Sequence, residues 1–154
     1  MANNSIIVKR LGAEVIEEIT ATAVAIKPGY LLELASATTV QAHATAGGNV
    51  LPMFAIEDAM QGGAITKDYA VSTRIQVWVP RRGDQVYAYL ADGETASAGD
   101  FLESAGAGAL AVHASDDSAA ANVTAQIVGV ALEAVDLSGS ANLTALGRIK
   151  VRIL

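Results

Sequence analysis

Short runs of alternating apolar and polar residues, separated by glycine turns, extend along most of this 154-residue chain. "TRIQVWV" (residues 73–79) and "DQVYAYLAD" (84–92) alternate in this way, and Pro28–Gly29, Gly47–Gly48 and Asp92–Gly93 are typical turn dipeptides. Alternation with period 2 is typical of strands with one buried face, and helical periodicity is scarce here. The pattern therefore predicts an all-β fold, a small β-barrel or β-sandwich of short strands.

The alternation also predicts which side chains share a face, because successive residues of a strand point to opposite sides. We expect three apolar sets on inner faces: Ile75, Val77 and Val79; Val86, Ala88 and Leu90; Ile149, Val151 and Ile153. The opposite faces should carry Arg74, Gln76 and Trp78; Tyr87 and Tyr89; and Arg148, Lys150 and Arg152.

Gly-Asp occurs twice in one stretch, at Gly83–Asp84 and Gly99–Asp100. Glycine readily adopts a positive φ, and an aspartate can accept hydrogen bonds from the backbone of the turn it follows. We therefore interpret both copies as turns that lead into strands. Arg82 completes an adhesion tripeptide with the first copy, but a turn explains both copies with one cause.

Composition excludes several kinds of site. The chain has no cysteine, so it forms no disulfide and uses no thiolate ligand or nucleophile. Its two histidines, His43 and His113, are far apart in sequence, and both are expected to be solvated strand residues. No phosphate-binding loop, dinucleotide fingerprint or nucleophile elbow is present. We predict no catalytic residues, no metal site and no cofactor, and hence no enzyme.

Charge is unevenly distributed in this acidic chain, whose formal net charge is −6. No lysine or arginine lies between Gly83 and Gly147, so a broad basic patch is missing and nucleic acid is not an expected partner. No apolar stretch reaches the roughly 20 residues that span a membrane. The N-terminus lacks the apolar core of a secretory signal, so we expect synthesis in a cytoplasm.

Two segments with basic and apolar residues are the candidate binding elements. Residues 1–12 are predicted to form an extended N-terminal arm, and residues 13–154 a single β domain. The arm's "IIVKR" could add a strand to the sheet edge of a partner. The final strand "RIKVRIL" offers a basic face, either simply solvated or paired with an acidic neighbour. The candidate residues are Ile6, Ile7, Val8, Lys9, Arg10, Arg148, Lys150 and Arg152.

Three stretches together resemble the decoration, or cement, proteins of tailed bacteriophage capsids. They are "KPGYLLEL", "RRGDQVYAYLADGETASAGDFLESAGAGAL" and "QIVGVALEAVDLSG" with the closing "RIKVRIL", and they cover roughly half of the chain. The resemblance lies in the order and texture of strands and turns. It implies a compact β domain on the outer surface of an icosahedral shell, made in the cytoplasm of a host bacterium.

The resemblance also implies partners: the major capsid protein and two further copies of this chain in a homotrimer. The expected function is structural, namely to stabilise the capsid by bridging neighbouring subunits. The alternatives are another virion part such as a tail or head-fibre protein, a free cytoplasmic binding module, and a small hydrolase. Co-sedimentation with undecorated capsids distinguishes these possibilities most directly.

Overall fold

A computed structural model describes residues 4–13, 15–22, 24–114, 125–139 and 147–154 of the chain. The described residues form short β-strands and one turn of 3₁₀-helix at Ala59–Gln61. The strands are β1 (Ile7–Lys9), β2 (Val15–Ala21), β3 (Leu32–Leu34), β4 (Thr39–Ala42), β5 (Phe54–Ala55), β6 (Arg74–Val79), β7 (Gln85–Tyr89), β8 (Thr95–Ala96), β9 (Phe101–Gly106), β10 (Ala109–Val112), β11 (Ile127–Ala131), β12 (Val135–Asp136) and β13 (Arg148–Ile153).

The strands assemble into two larger sheets and a two-stranded ribbon of β12 and β8. One sheet has six strands in the order β1-β7-β13-β11-β9-β10, and the other has five in the order β3-β4-β2-β6-β5. A single bridge between Leu31 and Phe54 brings the two end strands of the five-stranded sheet near each other, and one between Leu90, just after β7, and Leu110 brings β10 near β7 in the six-stranded sheet. No continuous ladder closes either sheet within the described residues, so the all-β prediction is confirmed as a sandwich-like fold rather than a barrel.

Two apolar clusters share strand β6. Trp78 belongs to the larger cluster, which lies against the six-stranded sheet with side chains such as Val86, Leu102 and Val151. Its neighbour Val77 belongs to the second cluster, on the other side of the same strand. The alternation of β6 is therefore as predicted, but Trp78, on the face opposite Ile75 and Val77, is buried as fully as Ile75 because it packs into the other cluster.

The N-terminal segment is not a free arm, which corrects that prediction. Strand β1 pairs antiparallel with β7, and the Ile6 side chain is fully buried in the larger cluster. Glu57 holds the segment from outside: its carboxylate accepts hydrogen bonds from the Ser5 hydroxyl at 2.6 Å and the Ile6 N–H at 3.1 Å. Burying an apolar side chain such as Ile6 in the core is more favourable than leaving it in water. The segment therefore packs on the domain, and β1 becomes an edge strand of the sheet.

Four turns of one design connect the strands, and they explain the repeated glycines. The turns are Lys27–Tyr30, Arg81–Asp84, Ala91–Glu94 and Ser97–Asp100, and in each the third residue is a glycine with φ between 85° and 101°. The fourth N–H of each turn donates to the first carbonyl, as in a type II turn. The glycine N–H donates to the carbonyl of a partner residue on another segment. The N–H of that partner residue donates back to the carbonyl of the fourth turn residue. The partner residues are Ala55, Ile153, Leu137 and Ala131.

The two Gly-Asp copies are indeed turns. In both, the aspartate Oδ2 accepts the N–H of the first turn residue at 2.8 Å, from Arg81 to Asp84 and from Ser97 to Asp100. Asp84 has a further bond, since its Oδ1 accepts the Leu11 N–H at 2.8 Å. Asp84 is almost completely buried, so Arg82–Gly83–Asp84 cannot present its carboxylate to an adhesion receptor.

Candidate binding surface

The register of the six-stranded sheet brings the two basic segments onto one face. Lys9 lies opposite Gln85, and Gln85 lies opposite Arg152 on the next strand. Their neighbours Val86 and Val151 point inward, so Lys9, Gln85 and Arg152 point to the outer face. With two strand spacings between them, the Lys9 and Arg152 backbones are roughly 10 Å apart. Residues separated by more than 140 positions thus form one basic patch.

The same row continues to an exposed aromatic side chain. Arg152 lies opposite Val130, and Val130 lies opposite Phe101. Phe101 is 51% exposed, which is unusual for a phenylalanine on a strand. We call Lys9, Gln85, Arg152, Val130 and Phe101 the outer row. Basic groups at one end and an aromatic ring at the other are a combination enriched in protein interfaces.

Arg148 is not part of this exposed surface, which corrects the prediction of a basic face along all of β13. Its side chain is 3% exposed because Gly29 and Ile65 cover that end of the sheet. The guanidinium donates to the Ile65 carbonyl at 2.7 Å and the Tyr89 hydroxyl at 3.0 Å. It lies 4.0 Å from the centre of the Tyr89 ring, close enough for a cation–π interaction.

Burial lowers the pKa of Arg148 from its ordinary value, but the aromatic and carbonyl partners favour the cation. The group therefore has a structural role: it fastens the segment around Ile65 to the outer side of the six-stranded sheet. A Cβ at Gly29 would lie 2.2 Å from the Arg148 Nη1 atom, so the glycine is needed beside it.

The eight candidate residues thus divide into three groups. Ile6 and Arg148 are buried and cannot contact a partner directly in this fold. Ile7, Val8 and Lys150 are half-buried, and the Lys150 ammonium pairs with Glu133 at 3.2 Å. Lys9, Arg10 and Arg152 are exposed. Phe101 was not among the candidates, because alternation places it on a face but only the cross-strand register places it in the same row as Arg152.

His43 is buried, which corrects the expectation of a solvated residue. Its Nδ1 lies 2.8 Å from the Ser104 hydroxyl, and its Nε2 lies 3.1 Å from the Asn49 carbonyl and 3.6 Å from Glu33. A carbonyl only accepts, so Nε2 carries a proton, and in the neutral ring Nδ1 accepts from the Ser104 hydroxyl. The Ser104 oxygen also accepts the Gly106 N–H and is 1% exposed. These contacts link β9, which carries Ser104, to β3 and to the loop at Asn49, and the buried Ser104 hydroxyl is closed to a substrate.

Across the described ranges, no three histidine or acidic side chains come together as metal ligands would. Within those same ranges, no helix has the length and apolar character needed to cross a bilayer.

Comparison with known proteins gives a likeness of fold. No family model and no curated protein sequence matches this chain. A solved structure does: the N base of head fiber gp8.5 in bacteriophage phi29 superposes with a TM-score of 0.55 at 15% identity. The match covers 92% of this chain and 95% of that one, so the two proteins share an architecture over most of their lengths.

Proposed function

We propose that this chain is a structural protein of a phage virion, bound to the major capsid protein on the outside of the head. The observation that carries the proposal is the full-length fold likeness to the base of a phage head fibre. The resemblance in strand order and turn texture to capsid decoration proteins points the same way. The buried His43–Ser104 pair and the structural role of Arg148 are consistent with a protein that works through its surface.

The outer row is the proposed capsid-facing surface. Lys9 and Arg152 add two exposed cations to a protein that is otherwise acidic, and Phe101 can bury apolar area on contact. A homotrimer would present three such rows at once. Each contact can then be weak, because after the first has formed the others are intramolecular, and avidity rises by about 10²–10⁴-fold. In this form the protein stabilises the shell by bridging neighbouring subunits.

Co-sedimentation with undecorated capsids tests both the partner and the surface. We expect Lys9→Glu and Arg152→Glu each to lower the bound fraction and to remove the gain in capsid melting temperature. Lys67→Glu and Arg74→Glu make the same charge changes at exposed positions outside the six-stranded sheet and should bind normally. Absence of binding by the unaltered protein contradicts the function. Equal losses in all four variants contradict the outer row but not the function.

A second version of the proposal, the base of a head fibre, is favoured by the same fold likeness. Images of decorated particles separate the two. Density confined to a small domain at many symmetry-related positions indicates a decoration protein, whereas a fibre extending from each domain indicates a base. Sedimentation of the free protein at micromolar concentration tests the homotrimer in either case.

A further inference from the structure

Strand β2 has an open edge along most of its length. On one side it pairs with β6 from Val15 to Thr20. On the other side β4 pairs only with Thr20 and Ala21, and β4 itself begins at Thr39, the partner of Thr20. In the part of the chain that the structure describes, no strand continues past this point, so Val15–Ile19 has a neighbour on one side only.

The hydrogen-bond pattern identifies the main-chain groups that face the open edge. The Gln76 carbonyl accepts the Ile56 N–H, so Gln76 points toward β5 and not toward its opposite residue Glu18. At the end of the strand, the Ala21 N–H donates to Thr73 on the β6 side, whereas the Thr22 N–H donates to Val40 of β4. Antiparallel pairs alternate in this way along a ladder. The N–H and C=O groups of Ile16 and Glu18 therefore point outward, away from β6.

Exposed side chains accompany these open groups. Val15 is 43% and Ile16 38% exposed, and because they are adjacent they lie on opposite faces of the strand. Glu17 and Glu18 follow and are exposed as well, and the Glu18 carboxylate lies 3.7 Å from the Arg74 guanidinium and accepts a hydrogen bond from Gln76. An edge with free main-chain groups and apolar side chains on both faces is a template for one more strand.

The charge of the β2 edge indicates which kind of strand could bind beside it. Two copies of this chain joined through β2 would bring their Glu17 and Glu18 side chains together, and like charges facing each other across strands are destabilising. The edge strand β1 of a second copy is a poor partner too. It is three residues long, with a bulge between Ile7 and Lys9, and Glu57 already holds the Ile6 N–H. A segment with lysine or arginine between apolar residues satisfies both the glutamates and the apolar side chains.

We propose that the open edge of β2 binds an extended segment of another protein in which basic and apolar residues alternate, as an additional strand beside Val15–Ile19. The partner contributes main-chain hydrogen bonds to Ile16 and Glu18, and its basic side chains pair chiefly with Glu17, because Glu18 already has Arg74 as a neighbour. This surface is separate from the outer row. The inference does not depend on capsid binding, since it is tested on the free protein.

Amide hydrogen exchange, measured residue by residue by NMR, tests the proposal. In the free protein the Ile16 and Glu18 amides should exchange quickly, whereas those of Glu17 and Ile19, bonded to β6, should exchange slowly. Adding a synthetic peptide TVKVRVT should slow the exchange of Ile16 and Glu18. The acidic peptide TVEVEVT, which has the same alternation, should not.

Glu17→Lys should weaken binding of the basic peptide by about fivefold, the usual upper range for one exposed ion pair. Asp92→Lys is the matched control, because it makes the same kind of charge reversal on an exposed turn and should bind normally. Slow exchange at Ile19 in both variants confirms that the sheet is intact.

Three results overturn the proposal. One is exchange at Ile16 and Glu18 that stays fast at the highest concentration of TVKVRVT. Another is protection of both amides that increases with protein concentration alone, which makes a second copy the occupant. The last is a Glu17→Lys variant that binds the basic peptide as tightly as the unaltered chain.

Discussion

At the scale of single residues, the two aspartates of the Gly-Asp turns differ in what they stabilise. Both accept the first N–H of their own turn, but Asp84 also accepts the Leu11 N–H, and it is buried. Removing a buried acceptor leaves its donors unpaired, which costs more than losing an exposed hydrogen bond. The Gly-Asp motif therefore contributes more to the stability of the fold at Asp84 than at Asp100.

This difference gives a paired prediction. Asp84→Ala should lower the free energy of unfolding by about 1–3 kcal/mol, because two backbone N–H groups lose their acceptor. Asp100→Ala should cost about 0.5–1.5 kcal/mol, since one bond is lost at a more exposed site. Urea denaturation followed by circular dichroism measures both values. Equal losses would show that the bond to Leu11 contributes nothing.

Tyr69 makes the free energy of unfolding vary with pH in the alkaline range. Its hydroxyl donates to the Ile56 carbonyl at 2.8 Å, and burial raises the pKa of Tyr69 from about 10 to about 12. Because the folded pKa is above the unfolded one, the stabilisation is complete below pH 10 and is lost as pH rises through 12. Tyr69→Phe should remove this tyrosine's part of the fall in unfolding free energy between pH 10 and 12. An unchanged pH profile in the variant would contradict the assignment.

At the scale of elements, the sequence predicts local features such as strands and turns well, but it does not predict the tertiary contacts between them. The strands β6, β7 and β13 have the inner residues that alternation predicts, because the period of a strand is a property of the backbone. Alternation does not reveal that Ile65 and Gly29 cover Arg148, or that Trp78 meets a second core. It also does not reveal that β7 offers an edge to Ile7–Lys9. These outcomes depend on which segments meet in space.

The fate of β1 leads to a prediction opposite to that for a free arm. Deleting residues 1–10 should destabilise the domain, because it removes the buried Ile6 and exposes the edge of β7. Ile6→Ala alone should cost about 2–5 kcal/mol, as is usual for a fully buried aliphatic side chain. Ile7→Ala, at a half-buried position of the same strand, is the control and should cost clearly less. Thermal denaturation of the three variants ranks their stabilities. A deletion variant as stable as the full chain would support the prediction of a free N-terminal arm instead.

At the scale of the whole molecule, the two apolar clusters are coupled through β6. Ile75 and Val77 contribute to one cluster and Trp78 to the other, so neither cluster can be lost while the strand keeps both faces packed. We expect one cooperative unfolding transition, with Trp78 fluorescence and far-ultraviolet circular dichroism giving the same midpoint.

Ile75→Ala tests this coupling from the far side of the strand. The substitution creates a cavity in the second cluster only, yet it should lower the midpoint reported by Trp78 in the first. A loss of about 2–5 kcal/mol is expected for a side chain so fully buried. A variant in which fluorescence and circular dichroism report different midpoints would instead indicate two independent units.

The four glycine turns have a consequence for how far sequences of this architecture can diverge. Each turn needs a positive φ at its glycine, at Gly29, Gly83, Gly93 or Gly99, and all four share the same main-chain hydrogen bonds, to which Asp84 and Asp100 add a side-chain acceptor in two of them. Apart from these aspartates, the side chains around the turns are under weaker constraint, so relatives can lose most of their overall sequence identity while keeping glycines at these intervals. A search pattern built on glycine spacing, and not on residue similarity, is therefore the better instrument for finding distant homologues of this chain.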